Sequence, residues 1–133
     1  MSQDKFLVVQ DRKTGKPVSI SVSSIPEEIR PDNWYENPFW RYTTMRRILK
    51  PLINALYTDK PLLVNEIRCL AQYIIDYACH IAVGVYLFGG GKENITFNVE
   101  CIQKLRILRK GASTKDDVRE MIRVGMDYAM DPF

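Results

Sequence analysis

The chain has 133 residues, of which 46% are hydrophobic and 26% charged, and its formal net charge is +3 at pH 7. This length and balance predict one globular domain with a substantial core, and they exclude a disordered chain. So small a net charge does not by itself indicate a polyanionic partner.

Residues 1–24 are predicted to form a β-hairpin. Val18-Ser19-Ile20-Ser21-Val22 alternates apolar and small polar residues, which is the period of a half-buried strand. The apolar run Phe6-Leu7-Val8-Val9 precedes it, and Gly15 in the link tolerates a turn with positive φ. Because an isolated two-stranded hairpin is only marginally stable in water, we expect it to pack on helices.

Residues 25–37 read as a connector containing several prolines, with one short helical turn expected over Ile25–Ile29. Residues 38–133 follow as a helical body within the same single domain. Asn37-Pro38 favours a helix start, since asparagine caps well and proline is tolerated at the first helical position. This helix should reach toward Tyr57, kinked at Pro51 or divided there into two abutting helices.

A second, strongly apolar helix is predicted to open near Asp59-Lys60-Pro61. From Leu62 to Phe88, Asp76 is the only charged residue after Arg68. The uncharged part, residues 77–88, is shorter than the roughly 20 residues of a membrane span, so we expect a buried core element rather than a membrane segment. The rest of the chain or a second copy must cover it.

The segment 82–99 has two interpretations. Ala82–Phe88 is β-prone and Ile95–Val99 alternates, so an α+β fold with a second hairpin is possible. In the favoured version the helix ends at Gly89, and another begins with Asn98 as its cap. The length of the first of these helices favours either a break near Gly84 or a protruding helix that dimerises. A single helix over the whole apolar stretch would be about 40 Å long.

The last helix has the clearest start. Ser113 and Thr114 offer hydroxyl caps, and acidic residues follow in the first turn, where the helix dipole favours them. Gly125 on the predicted buried side indicates close approach by a neighbouring backbone. The predicted fold is therefore mainly α, with about four helices and an N-terminal β-hairpin.

Two clusters of basic residues are candidate anion-binding or nucleic-acid-binding sites. The first basic cluster, Arg46, Arg47 and Lys50, places like charges on one helix face with no acid within a turn. A solvated face, or pairing with acids of the connector, would explain it without a ligand. The second basic cluster has four basic residues in seven: Lys104, Arg106, Arg109 and Lys110. Part of it is also explained by the preference of cations for a helix C-terminus.

An aromatic segment is the candidate partner-binding site. Five aromatic residues fall within nine positions: Trp34, Tyr35, Phe39, Trp40 and Tyr42. Tryptophan, tyrosine and arginine are enriched in protein interfaces, and aromatics beside arginines also stack on single-stranded bases. The alternative is that both tryptophans complete the core over the hairpin.

Nothing in the sequence indicates catalysis, a metal or a cofactor. His80 is the only histidine, and the cysteines at 69, 79 and 101 form no Cys-x-x-Cys pair. Gly89-Gly90-Gly91-Lys92 lacks the spacing of a phosphate-binding loop. Three cysteines in apolar surroundings, and an N-terminus without the pattern of a secretory signal, favour a cytoplasmic protein.

These patterns predict a non-catalytic protein-interaction module, working as a homo-oligomer or as a small subunit of a larger assembly. The alternative is a small nucleic-acid-binding protein that uses the two basic clusters on phosphates. We expect no cofactor, no small-molecule substrate and no membrane partner.

Overall fold

The computed structural model describes residues 6–11, 13–32, 39–89 and 91–131, without the side chains of Leu7, Val9, Gln10, residues 39–44 and Lys92. Within these ranges the chain forms two strands and four α-helices: β1 (Phe6–Gln10), β2 (Pro17–Ser21), α1 (Phe39–Ala55), α2 (Val64–Phe88), α3 (Thr96–Lys110) and α4 (Lys115–Asp127). The prediction of a mainly α fold with an N-terminal hairpin is confirmed.

The hairpin is antiparallel, with Phe6 opposite Ser21. Gly15 adopts the expected positive φ of 70°, and its N–H donates to the carbonyl of Asp11 at 2.7 Å. Val18 and Ile20 of β2 are half-buried and pack against the core, and β1 contacts α1 and α2. The helices therefore supply the apolar support that two strands cannot provide alone.

The connector belongs to the core rather than tethering two separate parts. The expected helical turn is present as a 3₁₀ turn over Glu27–Ile29, and a second one spans Val22–Ser24. Ile25 and Ile29 are almost fully buried. This segment therefore covers α2 and α3 from one side.

The first helix continues through Pro51, so the division into two helices is wrong. Proline cannot donate to the carbonyl one turn earlier, which belongs to Arg47. Arg47 is exposed, so water can reach that part of the helix. A kink at Pro51 stays a prediction.

The second helix, α2, starts later than expected and is continuous to its end. Residues 60–63 are not helical, and Leu63 precedes the first turn, its N–H donating to Glu66 Oε1 at 2.9 Å. The start near Asp59 is therefore wrong, and so is the break near Gly84. The helix has 25 residues, about 38 Å at 1.5 Å per residue, and it ends at Gly89 as predicted.

The alternative hairpin over residues 82–99 is also wrong. Ala82 and Val83 are 0% exposed within α2, so burial of one helical face overrides the β preference of this segment. A 3₁₀ turn over Lys92–Ile95 leads into α3, which begins at Thr96, two residues before the predicted cap at Asn98.

The core is built around α2, which packs against α1, α3 and α4. Among the described helices, α2 has the length and mean hydropathy of a membrane span, yet 56% of its most apolar window is buried within the protein. A core helix meets the same criteria. From Gly84 to Phe88 the residues are only half-buried, so one copy of the chain covers this end incompletely.

The start of α4 is capped as predicted. Thr114 Oγ1 accepts the N–H of Asp117 at 3.2 Å, and Asp117 Oδ2 accepts the N–H of Thr114 at 2.9 Å. Donation from the Ser113 backbone, followed by the side-chain and backbone hydrogen bonds with Thr114, lowers the pKa of the Asp117 carboxyl. Gly125 faces a close neighbour, the carbonyl oxygen of Met130, which would lie 3.2 Å from an added Cβ.

Candidate functional site

An apolar groove opens between α3 and α4. Five residues line this α3–α4 groove, which has a volume of about 230 Å³: Lys104, Ile107, Leu108, Glu120 and Val124. Ile107 stands at its edge with 68% of its surface exposed, whereas Val124 is 8% exposed. A large exposed aliphatic side chain beside an open apolar groove is the pattern of an interaction surface.

An aromatic pair extends this surface along α3. The rings of Phe97 and Tyr128 lie 4.7 Å apart between centroids, and Phe97 is 52% exposed. Lys104 Nζ lies 5.1 Å from the centre of the Tyr128 ring and 3.5 Å from Glu100 Oε1. Lys104 therefore belongs both to the groove and to the aromatic pair.

The charged residues at the groove are paired within their own helices. On α4, Glu120 and Asp127 both bind Arg123, the latter at 2.9 Å. Hydrogen bonding from Arg123 lowers the pKa of Glu120. On α3, Glu100 pairs with Lys104. These exposed pairs add little stability, but they balance the charge beside the apolar centre of the groove.

The groove was not identified from the sequence, although one signal was present. Leu105 and Leu108 follow the helical spacing of the core face, and Leu105 is 0% exposed. Ile107 falls off that face. Ile107 therefore lies on the predicted polar side of a basic helix. Packing within the chain does not explain an isoleucine there, and this was the signal for a binding surface.

The predicted aromatic segment lies partly outside the described residues. Trp34 and Tyr35 lie outside the described residues, and for Phe39, Trp40 and Tyr42 the structure describes the α1 backbone but not the side chains. The assignment of these residues to a partner surface stays a prediction.

The first basic cluster divides between the interior and the solvent. Arg46 is half-buried: its Nη2 donates to Tyr77 Oη at 3.1 Å, and its guanidinium lies 5.5 Å from the centre of the Tyr77 ring. Burial opposes the charged form of Arg46, but the hydroxyls of Tyr73 and Tyr77 outweigh it and raise its pKa. Arg47 and Lys50 are exposed.

The second basic cluster divides in the same way. Lys104 is engaged at the groove, as described above. Arg106 faces inward: its Nη1 donates to the carbonyl of Glu28 at 3.3 Å and its Nη2 to the carbonyl of Arg30 at 3.0 Å. Arg109 and Lys110 remain exposed at the end of α3.

The buried acid Asp76 takes part in a structural network. Asp76 Oδ1 accepts the backbone N–H of Asp32 at 3.1 Å and Nε2 of Gln72 at 3.0 Å. The same Gln72 nitrogen donates to Asp32 Oδ2 at 2.7 Å. These hydrogen bonds join the end of the connector to α2. The Asp76 carboxylate therefore has a structural role, because its hydrogen-bond donors come from both of these elements.

Cys79 and Cys101 are buried, but Cys69 is exposed, so the expectation of apolar surroundings is wrong for one of the three cysteines. Burial lowers the pKa of His80 to about 4, raises that of Cys101 to about 11 and raises that of Cys79 further. Thiols in such surroundings are poor nucleophiles at neutral pH. Among the described residues, no group of three histidines, cysteines or acids comes together as a metal site would require.

No protein-family model, no curated protein and no solved structure matches this chain.

Proposed function

We propose that this chain is a non-catalytic interaction protein that forms homo-oligomers, and that the α3–α4 groove is the surface on which a second copy binds. The observation that carries the proposal is the position of Ile107. Its side chain is 68% exposed and lines the groove together with the apolar residues Leu108 and Val124. Burying such a side chain stabilises a complex by about 1.5–3 kcal/mol.

A second copy suits this surface because a twofold contact would set the same apolar groove, with one basic and one acidic residue, on both sides. The groove has a basic residue on α3, Lys104, and an acidic residue on α4, Glu120. A twofold axis through the groove would place each Lys104 near the Glu120 of the other copy, in addition to their pairs with Glu100 and Arg123 within each chain. The same symmetry would set the Ile107 of each copy against the apolar lining of its partner. The end of α2, residues 84–88, is also only half-buried, and this supports the proposal that a second copy covers apolar surface.

The test is the molar mass in solution, measured by size-exclusion chromatography with light scattering. The wild-type chain should form a dimer or a larger closed assembly. Ile107→Glu should shift it toward monomer, because a charge would be buried without a partner at the interface. Ile48→Glu is the matched control, since Ile48 is 60% exposed but lies on α1, away from the groove.

A wild-type chain that stays monomeric at all concentrations would contradict the proposal. Equal dissociation by Ile107→Glu and Ile48→Glu would contradict the choice of surface. Because both side chains are exposed, neither variant should disturb the fold, and circular dichroism verifies this directly.

Nucleic-acid binding is the second proposal, supported by the exposure of Arg47, Lys50, Arg109 and Lys110. Fewer cations are available than the sequence suggested, because Arg46, Lys104 and Arg106 are engaged within the chain. With Z phosphates neutralised, log K should fall with log salt with a slope of about −0.9Z for duplex DNA. Binding that is absent, or insensitive to salt, would rule it out. A cytoplasmic location also stays a prediction.

A further inference from the structure

A second cavity lies where the start of α2 meets the end of α3, and its charge is entirely positive. It has a volume of about 250 Å³, and its lining residues are Arg68, Ala71, Arg109, Lys110 and Ala112. Three of these five carry a positive charge and none is acidic. We call it the Arg68 cavity.

No acidic residue of the described part of the chain forms an ion pair with the three cations of the Arg68 cavity. Within the described ranges, none of Arg68, Arg109 and Lys110 makes an ion pair or a side-chain hydrogen bond. Most other arginines of the described part have such a partner, as Arg119 and Arg123 do on α4. Like charges gathered around one concave space repel one another unless an anion enters it.

Helix dipoles account for only part of this arrangement. Arg109 and Lys110 occupy the last turn of α3, where the negative end of the dipole favours cations. Arg68 lies in the second turn of α2, near the positive end of that helix, where the dipole gives a cation no stabilisation. Its presence beside the other two therefore calls for a different explanation.

The shape of the Arg68 cavity limits the size of its ligand. Ala71 and Ala112 are both buried, at 0% and 4% exposure, and their small side chains leave the space open. Its volume of about 250 Å³ is below the roughly 300–1,000 Å³ of pockets for drug-sized ligands. It far exceeds the roughly 30 Å³ that one water molecule occupies. A small polyatomic anion fits these limits.

We propose that the Arg68 cavity binds the phosphate group of a small phosphorylated molecule. Guanidinium groups such as those of Arg68 and Arg109 form paired hydrogen bonds with phosphate oxygens, and a lysine adds a point charge. The concave shape favours a small ligand over an extended nucleic acid, because Arg47 and Lys50 lie on α1 and do not line the cavity. This site is separate from the α3–α4 groove, so it does not depend on self-association.

The experiment is calorimetric titration of the full chain with inorganic pyrophosphate and, separately, with adenosine diphosphate, at one fixed low salt concentration. Arg68→Gln and Arg109→Gln should each weaken pyrophosphate binding by about tenfold or more, since each removes charged hydrogen bonds. Arg47→Gln, which removes an exposed cation from α1, should bind like the wild type. Equal affinity for the two probes would show that the phosphate groups alone determine binding. Tighter binding of adenosine diphosphate would show that the ligand is a nucleotide.

Three results would overturn the proposal. The first is a wild-type chain that binds neither probe at millimolar concentration. The second is an equal loss of affinity in all three variants, which would mean diffuse attraction by net charge. The third is a single-stranded oligonucleotide that binds more tightly than either probe and depends on Arg47 as much as on Arg109.

Discussion

At the scale of single residues, Arg106 shows how a basic side chain can serve the fold. Its guanidinium binds the carbonyls of Glu28 and Arg30, lies 3.9 Å from Asp32 and reaches Cys79 Sγ at 3.7 Å. A planar group with five donors suits this task, since it satisfies several acceptors at once. The result is a link between α3 and the connector.

Arg106→Ala should lower the free energy of unfolding by about 1–3 kcal/mol, because carbonyls of the connector lose their donor. Arg109→Ala is the control: the same residue type on the same helix, but exposed, so its change should stay within about 0.5 kcal/mol. Urea denaturation in phosphate-free buffer measures both. Equal stabilities for the two variants would contradict the role assigned to Arg106.

His80 should make stability depend on pH. Burial lowers its folded-state pKa from 6.5 to about 4, so the unfolded chain takes up the proton first as the pH falls. The contribution of neutral His80 is therefore complete above about pH 6.5. It is lost progressively toward pH 4, by about 3 kcal/mol in total at about 1.4 kcal/mol per pH unit.

The measurement is the free energy of unfolding of the wild type and of His80→Gln at several pH values. The difference between the two should change across pH 6.5 to 4 and stay constant above it. Acids with lowered pKa values, Asp117 and Glu120, titrate in both proteins and cancel in the comparison. Parallel curves over this range would show that His80 is not responsible.

At the scale of elements, the two helical glycines in α2 and α4 have opposite environments. An added Cβ at Gly125 would lie 2.8 Å from Met130 Cε and 3.2 Å from its carbonyl oxygen, whereas at Gly84 no such neighbour lies within 4 Å. The tail after α4 turns back over Gly125, whose carbonyl accepts the N–H of Met130 at 2.9 Å. At Gly84 no neighbouring segment approaches the helix in this way.

Gly125→Ala should therefore destabilise the protein by about 1–3 kcal/mol through overpacking. Gly84→Ala should stabilise it by about 0.5–1 kcal/mol, since alanine loses less backbone entropy in a helix. Thermal unfolding followed by circular dichroism compares them. The same sign of change for both variants would contradict this account of the C-terminal turn.

At the scale of the whole molecule, one apolar helix organises everything else. The hairpin and connector and the other three helices each bury a face against α2 or its neighbours. Two apolar regions remain incompletely covered, the end of α2 and the α3–α4 groove. A second copy bound there would couple assembly to folding.

The apparent melting temperature of the wild type should then rise with protein concentration. A tenfold increase corresponds to about 1.4 kcal/mol per dimer and, because two chains unfold together, should raise the melting temperature by roughly 2–3 °C. Ile107→Glu should remove this dependence, and scanning calorimetry at two concentrations measures it. A concentration-independent wild type would count against self-association.

The sequence by itself determined the elements whose signals are local. The hairpin turn at Gly15, the end of α2 at Gly89 and the Thr114 cap of α4 follow from backbone geometry and short-range hydrogen bonds. The apolar composition of residues 62–88 likewise identified the central helix of the core. Each of these depends only on residues close together in the chain.

Only the tertiary structure decided what the surface residues do. Composition alone could not distinguish Arg106, fastened to the connector, from Arg109, exposed at the Arg68 cavity, because both are arginines on one basic helix. Composition also could not predict that Arg68 lies near the end of α3, or that a groove lies beside Ile107. These outcomes depend on how helices distant in sequence pack together, and packing over long separations leaves no periodic signal in the chain.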